Sequence, residues 1–520
     1  MSILSKMFPR WALEREKARH ALRAFEAAKP SNMHRPRSDQ GHPDVSVNQG
    51  ARTLRILARD LDENNDLARG ILNTLVANVV GSGIRTEPQV RGRDGKLHAD
   101  TNKLLLKEFR NWLHRPEVTW EHDWFGAQRI AARSWLRDGE CLVQMLTGSV
   151  PGLDHGTKIP FSIELIEADL LPLELIDASR RITQGVEKNA WGRPIAYHLH
   201  KEYPMSLLPS GQMTGSQLSD TKRVSAQDLI HVKFADRIRQ TRGVTLFASI
   251  FNRLDDVKDY EDSERIAARV AAAMTAYIKK STDAYVATDS QTSSVPREMT
   301  MQAGMIFDNL LPGEDIGMIE SNRPSNQLES FRKANLRAAA AGVGSGYSAI
   351  ARDYSGTYSS QRQELVETRV MYDILRSYFI ARFIRPIWIR FVQSASLAGV
   401  IKFPLDVDLE SIYDADFRGP SIPWIDPLKE ANAESKLVES GFKSRSQVIR
   451  DHGDNPNDVT DQIAAEIEYA EELGLAFGVS KTPEPEPVDE DMEEDDLEED
   501  PDGEQDPDGE SEEEDPPAKE

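Results

Sequence analysis

Cysteine is almost absent from this 520-residue chain, with Cys141 the single instance. An intramolecular disulfide framework is therefore excluded, and nothing in the composition calls for an oxidising compartment. Long apolar runs are missing as well. No stretch reaches the eighteen or so apolar residues that a membrane-spanning helix needs. A signal-peptide pattern is also lacking, because Arg15, Lys17, Arg19 and Arg23 interrupt the apolar residues of Met1–Lys29.

Catalytic signatures are equally scarce. Gly342-Val343-Gly344-Ser345-Gly346 has no following Lys-Ser/Thr and comes after a helical pattern, so it is no phosphate loop. Tyr347 breaks a dinucleotide reading, and Val343 breaks a serine-nucleophile elbow. The segment reads as a connector. The eleven histidines show no metal-ligand spacing, and His198 with His200 on a predicted strand make a poor site alone. Asp406, Asp408 and Glu410 fall on one face of an extended segment and read as surface carboxylates. A carboxylate-based hydrolase using Asp353, Glu364 or those acids is the weaker reading, since no motif supports it. No cofactor and no metal are expected.

What is present is charge with an uneven distribution. The formal net charge is −23. Of 86 acidic residues, 22 lie in Pro483–Glu520, against one basic residue, Lys519. The other 482 residues hold 64 acids and 62 bases, so the body is nearly neutral. The tail repeats Asp-Pro-Asp-Gly-Glu at Asp500–Glu504 and Asp506–Glu510, and it is too polar to order itself. Residues 1–38 form a basic arm, with nine Lys/Arg against three Glu.

The periodicities predict an α+β chain that is predominantly helical. Leu67, Ile71, Leu75 and Val79 share one face of a helix over Asn65–Val80, capped by Asn64 or Asn65 and stopped by Gly81 and Gly83. Helices over Ala99–His114 and Phe125–Asp138 follow, and Trp112, Trp120, Trp124 and Trp135 read as core. Strands are expected at Cys141–Leu146, Ser162–Ile166, Ile182–Val186, Pro194–His200 and Leu229–Phe234. Met205–Asp220 reads as a surface loop, and Leu246–Lys280 as a helix. A further helix over Asn326–Ala341 leads to the longest one, from Ser360 to about Leu397, with Ser360 and Gln363 as its capping box. Pro386 should kink it near Arg382. Later helices are expected at Pro427–Ser440, Ser446–His452 and Asp461–Leu473.

Five segments, in this order, resemble the lambda-type portal family of tailed bacteriophages. They are Arg59–Gly70 leading to Asn78–Gly83, Gly185–Glu187 with Gly192–His198, Arg239–Val244, Asp353–Arg362, and Trp424–Glu430. The residues that carry the likeness are Asp60, Asn65, Arg69, Gly70, Gly192, Arg193, Pro194, Arg239, Arg242, Gly243, Asp353, Tyr354, Tyr358, Ser359, Ser360, Asp426 and Pro427. The resemblance implies a portal fold with wing, stem, clip and crown. It implies a structural subunit and no enzyme, in a ring usually of twelve copies at one capsid vertex, assembled in the host cytoplasm and kept in the virion. Double-stranded DNA would pass the channel. The partners implied are the terminase large subunit, a major capsid or scaffold protein, and a head-completion or connector protein, with no membrane.

On that basis the regions are a basic arm over 1–38, a wing over 39–245 and a stem and clip over 246–330. A channel-lining region over 331–395, a crown over 396–482 and a disordered acidic tail over 483–520 complete the chain. Arg362, Arg369 and Arg376 recur at seven-residue steps on one helix face. They are candidates for DNA or intersubunit contact, or for a solvated face where Asp373 pairs with Arg369 and Arg376. Ring closure needs a head-to-tail interface, for which Leu246–Val257 is a candidate. The rival class is an acidic-tailed DNA mimic or chaperone-like scaffold, which accounts for the tail but not for the ordered segments.

Overall fold

The computed structural model describes residues 41–201, 203, 221–272, 276–280, 314–318, 328–420, 427–452 and 454–473. The basic arm, the 205–220 loop, Asp426 and the acidic tail lie outside them. The chain divides into a first unit ending at Asn455 and a second beginning at Pro456.

Among the described residues, the first unit begins with a helix that the apolar pattern does not announce. Helix α1 (Pro43–Asn64) starts with Pro43 in its first turn and is capped by His42, whose Nδ1 accepts from the Asp44 N–H at 3.2 Å. Its buried face mixes Val47, Ala51, Ala58 and Leu61 with Asp44, Arg55 and Asp62, so charge interrupts the helical period. Helix α2 (Asp66–Val79) follows at once. Asn65 Oδ1 caps it by accepting from the Ala68 N–H at 3.0 Å, and Leu67, Ile71, Leu75 and Val79 face inward. Strand β1 (Arg85–Pro88), helix α3 (Ala99–Leu113) and helix α4 (Trp124–Asp138) come next.

Two antiparallel sheets occupy the middle of the unit. Strands β2 (Glu140–Thr147) and β3 (Phe161–Ile166) join β8 (Leu229–Lys233) in the order β3-β2-β8. Strands β4 (Ile182–Thr183), β5 (Val186–Lys188), β6 (Pro194–His200) and β7 (Thr221–Ser225) form a consecutive meander. The strand expected over Ile182–Val186 is instead two short strands. Gln184 at φ 53 and Gly185 at φ 79 reverse the chain between them.

Helices then return. The single helix expected from Leu246 to Lys280 is a 3-10 turn (Leu246–Ser249), helix α5 (Phe251–Ala272) and strand β9 (Ala276–Lys280), which pairs with β10 (Glu314–Met318). Helix α6 (Leu328–Val343) ends at Gly344, whose φ of 68 stops it, and a short helix α7 (Tyr347–Ala351) follows. The long helix runs from Tyr358 to Leu397 as α8 (Tyr358–Phe379), a π turn (Ile380–Ile384) and α9 (Arg385–Leu397). At 1.5 Å per residue that is about 60 Å. The π turn sits where the break near Arg382 was expected, because Pro386 can donate no N–H to the preceding turn. The cap is Thr357, not Ser360, with the Thr357 side chain accepting from the Ser360 N–H. Strand β11 (Ala415–Arg418) returns to pair with β1. Helices α10 (Pro427–Glu439) and α11 (Arg445–Asp451) complete the unit, and α12 (Pro456–Glu472) belongs to the second.

Aromatic rings hold α3, α4 and the long helix together. Trp112 stacks on Phe161, Trp124 on Phe383, and Trp135 on Phe234 with centroids 4.4 Å apart. Each such burial contributes about 1.5–3 kcal/mol. Trp120 is the exception to the expected tryptophan core, being 41% exposed under the Arg115 guanidinium. The acids at 406–410 lie in a loop of turns and not on a strand, where Asp408 Oδ1 accepts from the Glu410 N–H at 3.0 Å.

Candidate functional site

Arg242 and Glu140, 102 residues apart in sequence, meet in the interior of the first unit. Gly139 ends α4 at φ 85, so Glu140 enters β2 pointing into a closed space. Its carboxylate accepts from Arg242 Nη2 at 2.5 Å, Arg55 Nη2 at 2.9 Å, His231 Nε2 at 2.9 Å and the Gly243 N–H at 2.9 Å. Burial alone would raise this acid, but Arg242 and His231 outweigh it and hold Glu140 well below the usual carboxylate range. Burial pushes His231 down, so it is neutral and donates its Nε2–H. Arg242 spends its other donors on the carbonyls of Leu171 at 2.7 Å, Ala168 at 3.0 Å and Gln184 at 3.3 Å. Its guanidinium thereby ties β2 to the β4–β5 turn.

Two glycines make this crossing possible. A Cβ on Gly243 would lie 2.1 Å from the Gly139 carbonyl, and one on Gly139 would meet the Val244 backbone at 2.2 Å. Around the pair runs a wider shell of ion pairs. Arg59 reaches Asp138 at 2.7 Å and Asp169 at 2.7 Å, and Arg55 reaches Asp169 at 2.8 Å. Arg133 and Arg137 hold Asp62. Asp44 accepts from the Thr241 N–H at 2.7 Å and its hydroxyl at 2.5 Å. Lys233 Nζ donates to the carbonyls of Gln240 and Thr241, both at 2.6 Å, and burial lowers its pKa to about 8. The whole is a lock between α1, α4, the two sheets and the 239–244 loop. It offers no exposed nucleophile. Cys141 beside it is buried, and burial raises its thiol to about 12.

The Asp353–Arg362 segment is a second built feature. Hydrogen bonds from Ser355 and Tyr347 pull the Asp353 pKa down to about 2, with the Tyr347 hydroxyl at 2.9 Å. Glu364 on α8 accepts from the Ser348 N–H at 2.9 Å and hydroxyl at 2.6 Å. Tyr354, Tyr358 and Ser359 are exposed. A groove of about 580 Å³ is lined here by Lys333, Arg337, Tyr347, Asp353, Gln361 and Glu364.

The remaining residues singled out from sequence have plain positions. Asp60 is exposed and accepts from Asn64 at 2.7 Å, while Arg69 is exposed on α2 and Gly70 lies beside it on that helix. Gly192 turns at φ 83, the Arg193 N–H reaches Asn189 Oδ1 at 2.9 Å, and Pro194 opens β6. Arg239 sits at φ 67 in the loop before Arg242, and Pro427 begins α10. Arg376 faces inward: it donates to Asn78 O at 2.6 Å and Val79 O at 3.2 Å, satisfying the end of α2, and to Asp373 at 2.6 Å. Arg369 lies 3.8 Å from Asp373 and is exposed, as is Arg362. Leu246–Val257 does not provide a free apolar face, because Phe247, Ile250, Phe251, Leu254 and Val257 are all buried within the subunit. Among the described residues, no group of three or more His, Cys, Asp or Glu side chains is placed to hold a metal. No described helix is long and apolar enough to cross a membrane.

Sequence reasoning picked out Arg242 and Gly243 but missed Glu140, Arg55 and His231. The one available signal was an acid straight after a helix-ending glycine, at the head of an otherwise apolar strand.

Comparison with known proteins gives this arrangement its context. The chain is 26% identical over 471 residues to a probable portal protein of Halomonas phage phiHAP-1, covering 87% of this chain and 88% of that one. It is 22% identical over 324 residues to portal protein B of Escherichia phage lambda, covering 57% and 60%. Among solved structures, a chain in the neck of an empty GTA particle computed with C6 symmetry aligns with a TM-score of 0.44 at 14% identity, over 78% of this chain and 95% of that one. The sequence model of the phage portal protein, lambda family, matches residues 29–376, and the chain belongs to that family.

Proposed function

We propose that copies of this chain close into a ring at the unique capsid vertex, and that double-stranded DNA enters and leaves the head through its lumen. The family match over residues 29–376 carries this reading. The chain acts as a conduit and docking platform, not as an enzyme. A separate motor, the terminase large subunit, supplies the force, and head-completion or connector proteins replace it after filling. A major capsid or scaffold protein surrounds the ring.

Physical chemistry supports a conduit. DNA has to slide, and each phosphate neutralised by the wall adds counterion-release affinity. In a ring of about twelve copies every inward cation is repeated about twelve times. A body holding 64 acids and 62 bases avoids that grip. In this reading 39–245 is the wing, 246–330 the stem and clip, 331–395 the channel-lining region and 396–482 the crown. The exposed Tyr354 and Tyr358 belong to the third of these.

The test is a packaging reaction with heads assembled with and without the chain. Heads containing it should protect DNA from nuclease when terminase and ATP are supplied. Equal protection in heads lacking the chain would defeat the proposal.

A further inference from the structure

Two exposed helix faces of the subunit carry opposite charge at the same spacing. On α8, the side turned from the core presents Arg362, Val366, Arg369, Val370 and Ile374. The three aliphatic residues are 55%, 60% and 58% exposed, an apolar stripe that none of the described residues of the subunit covers. The opposite side of the same helix packs through Tyr372, Leu375 and Phe379. On α5, Asp255, Asp259, Asp262 and Ile266 fall on one stripe, with Ile266 61% exposed. The other side of α5 is buried through Leu254, Val257 and Glu264. Burial and the neighbouring carboxylates of Asp259, Asp60 and Asp256 raise the Asp255 pKa, against the opposing charge of Lys258. Asp262 pairs one turn along the same helix with Arg265, and its side chain stays partly exposed.

The spacings match. Arg362 and Arg369 are seven residues apart, as are Asp255 and Asp262, so each pair spans about 10.5 Å of helix. Ile374 follows Arg362 by twelve residues, and Ile266 follows Asp255 by eleven.

We infer that the α8 face of one subunit packs in parallel against the α5 face of a second copy, with Arg362 beside Asp255, Arg369 beside Asp262 and Ile374 beside Ile266. The contact is heterologous: each copy gives one face to each neighbour, which is the geometry a closed ring demands. This inference rests on the ring reading and names the surfaces that close it. Duplex DNA fits the α8 face less well. A phosphate backbone would use the arginines but would leave Val366, Val370 and Ile374 without an apolar partner and would meet Asp373.

Two full-length variants test it, R362E/R369E and D255R/D262R. All four positions lie at the subunit surface, and circular dichroism melting checks that each variant folds. Each variant alone should form rings only at concentrations at least about tenfold above the unaltered chain. An equimolar mixture should recover rings, because the reversed α8 face of one variant meets the reversed α5 face of the other in alternation. Rings from each variant alone at the unaltered concentration would overturn the inference, as would a mixture that stays unassembled. Intact rings that fail to package DNA would place the arginines on DNA instead, and would also overturn it. If the unaltered chain itself made no ring, the ring reading would fall first, and this contact with it.

Discussion

The Glu140–Arg242 junction and the outer face of α8 use the same kinds of residue for opposite ends. At the junction Arg55, Arg242, His231 and the Gly243 N–H all converge on one buried carboxylate, and the surplus donors of Arg242 meet carbonyls. On α8, Arg362 and Arg369 flank exposed aliphatic residues, and the partners they find within the subunit, Tyr358 at 3.4 Å and Asp373 at 3.8 Å, are long and exposed. Charge that is complete within one chain makes a lock, and charge left facing out beside apolar surface makes an interface. Arg376 shows the boundary between the two, since it lies on the same helix yet serves the end of α2.

The largest expected effect breaks the first half of that comparison. R242M would strand Glu140 without its main cation and leave the carbonyls of Leu171, Ala168 and Gln184 short of a donor. Removing one partner of a buried pair costs about 3–5 kcal/mol. Chemical denaturation of the variant should show a loss of that size, and a loss under about 1 kcal/mol, the range of an exposed pair, would mean the junction is not the lock described.

A smaller effect sharpens it through pH. Lys233 has a pKa of about 8 in the fold against 10.5 for an ordinary lysine. Between those values the unfolded chain binds more protons than the folded one, so stability rises with pH across that window. Melting temperatures of the unaltered chain and K233M, compared from pH 7 to 10.5, should therefore show the difference moving steadily in favour of lysine as pH increases. A constant difference would show that Lys233 titrates normally and is not held by burial against the 239–244 loop.

How much of this was legible beforehand follows from the same contrast. Helices α2, α3, α4, α10 and α11 and the long helix carry an apolar period or clear end signals, and the sequence pattern locates them to within a few residues. Helix α1 was not legible because Asp44, Arg55 and Asp62 sit on its buried side and erase the period. The junction was half legible. Arg242 and Gly243 stood out in a recognisable segment, while Glu140 lies far away in sequence and its role exists only after folding. For Leu246–Val257 the apolar pattern suggests a spare face, yet the subunit buries Phe247, Ile250, Phe251, Leu254 and Val257 internally. Periodicity reports that a face is apolar but not what covers it.

The measurement closest to the central claim is electron microscopy of the purified, unaltered chain under assembly conditions. The account predicts uniform annular particles with an open centre and rotational symmetry. A preparation that holds only compact single subunits, with no pore-bearing particle in any class, would contradict it.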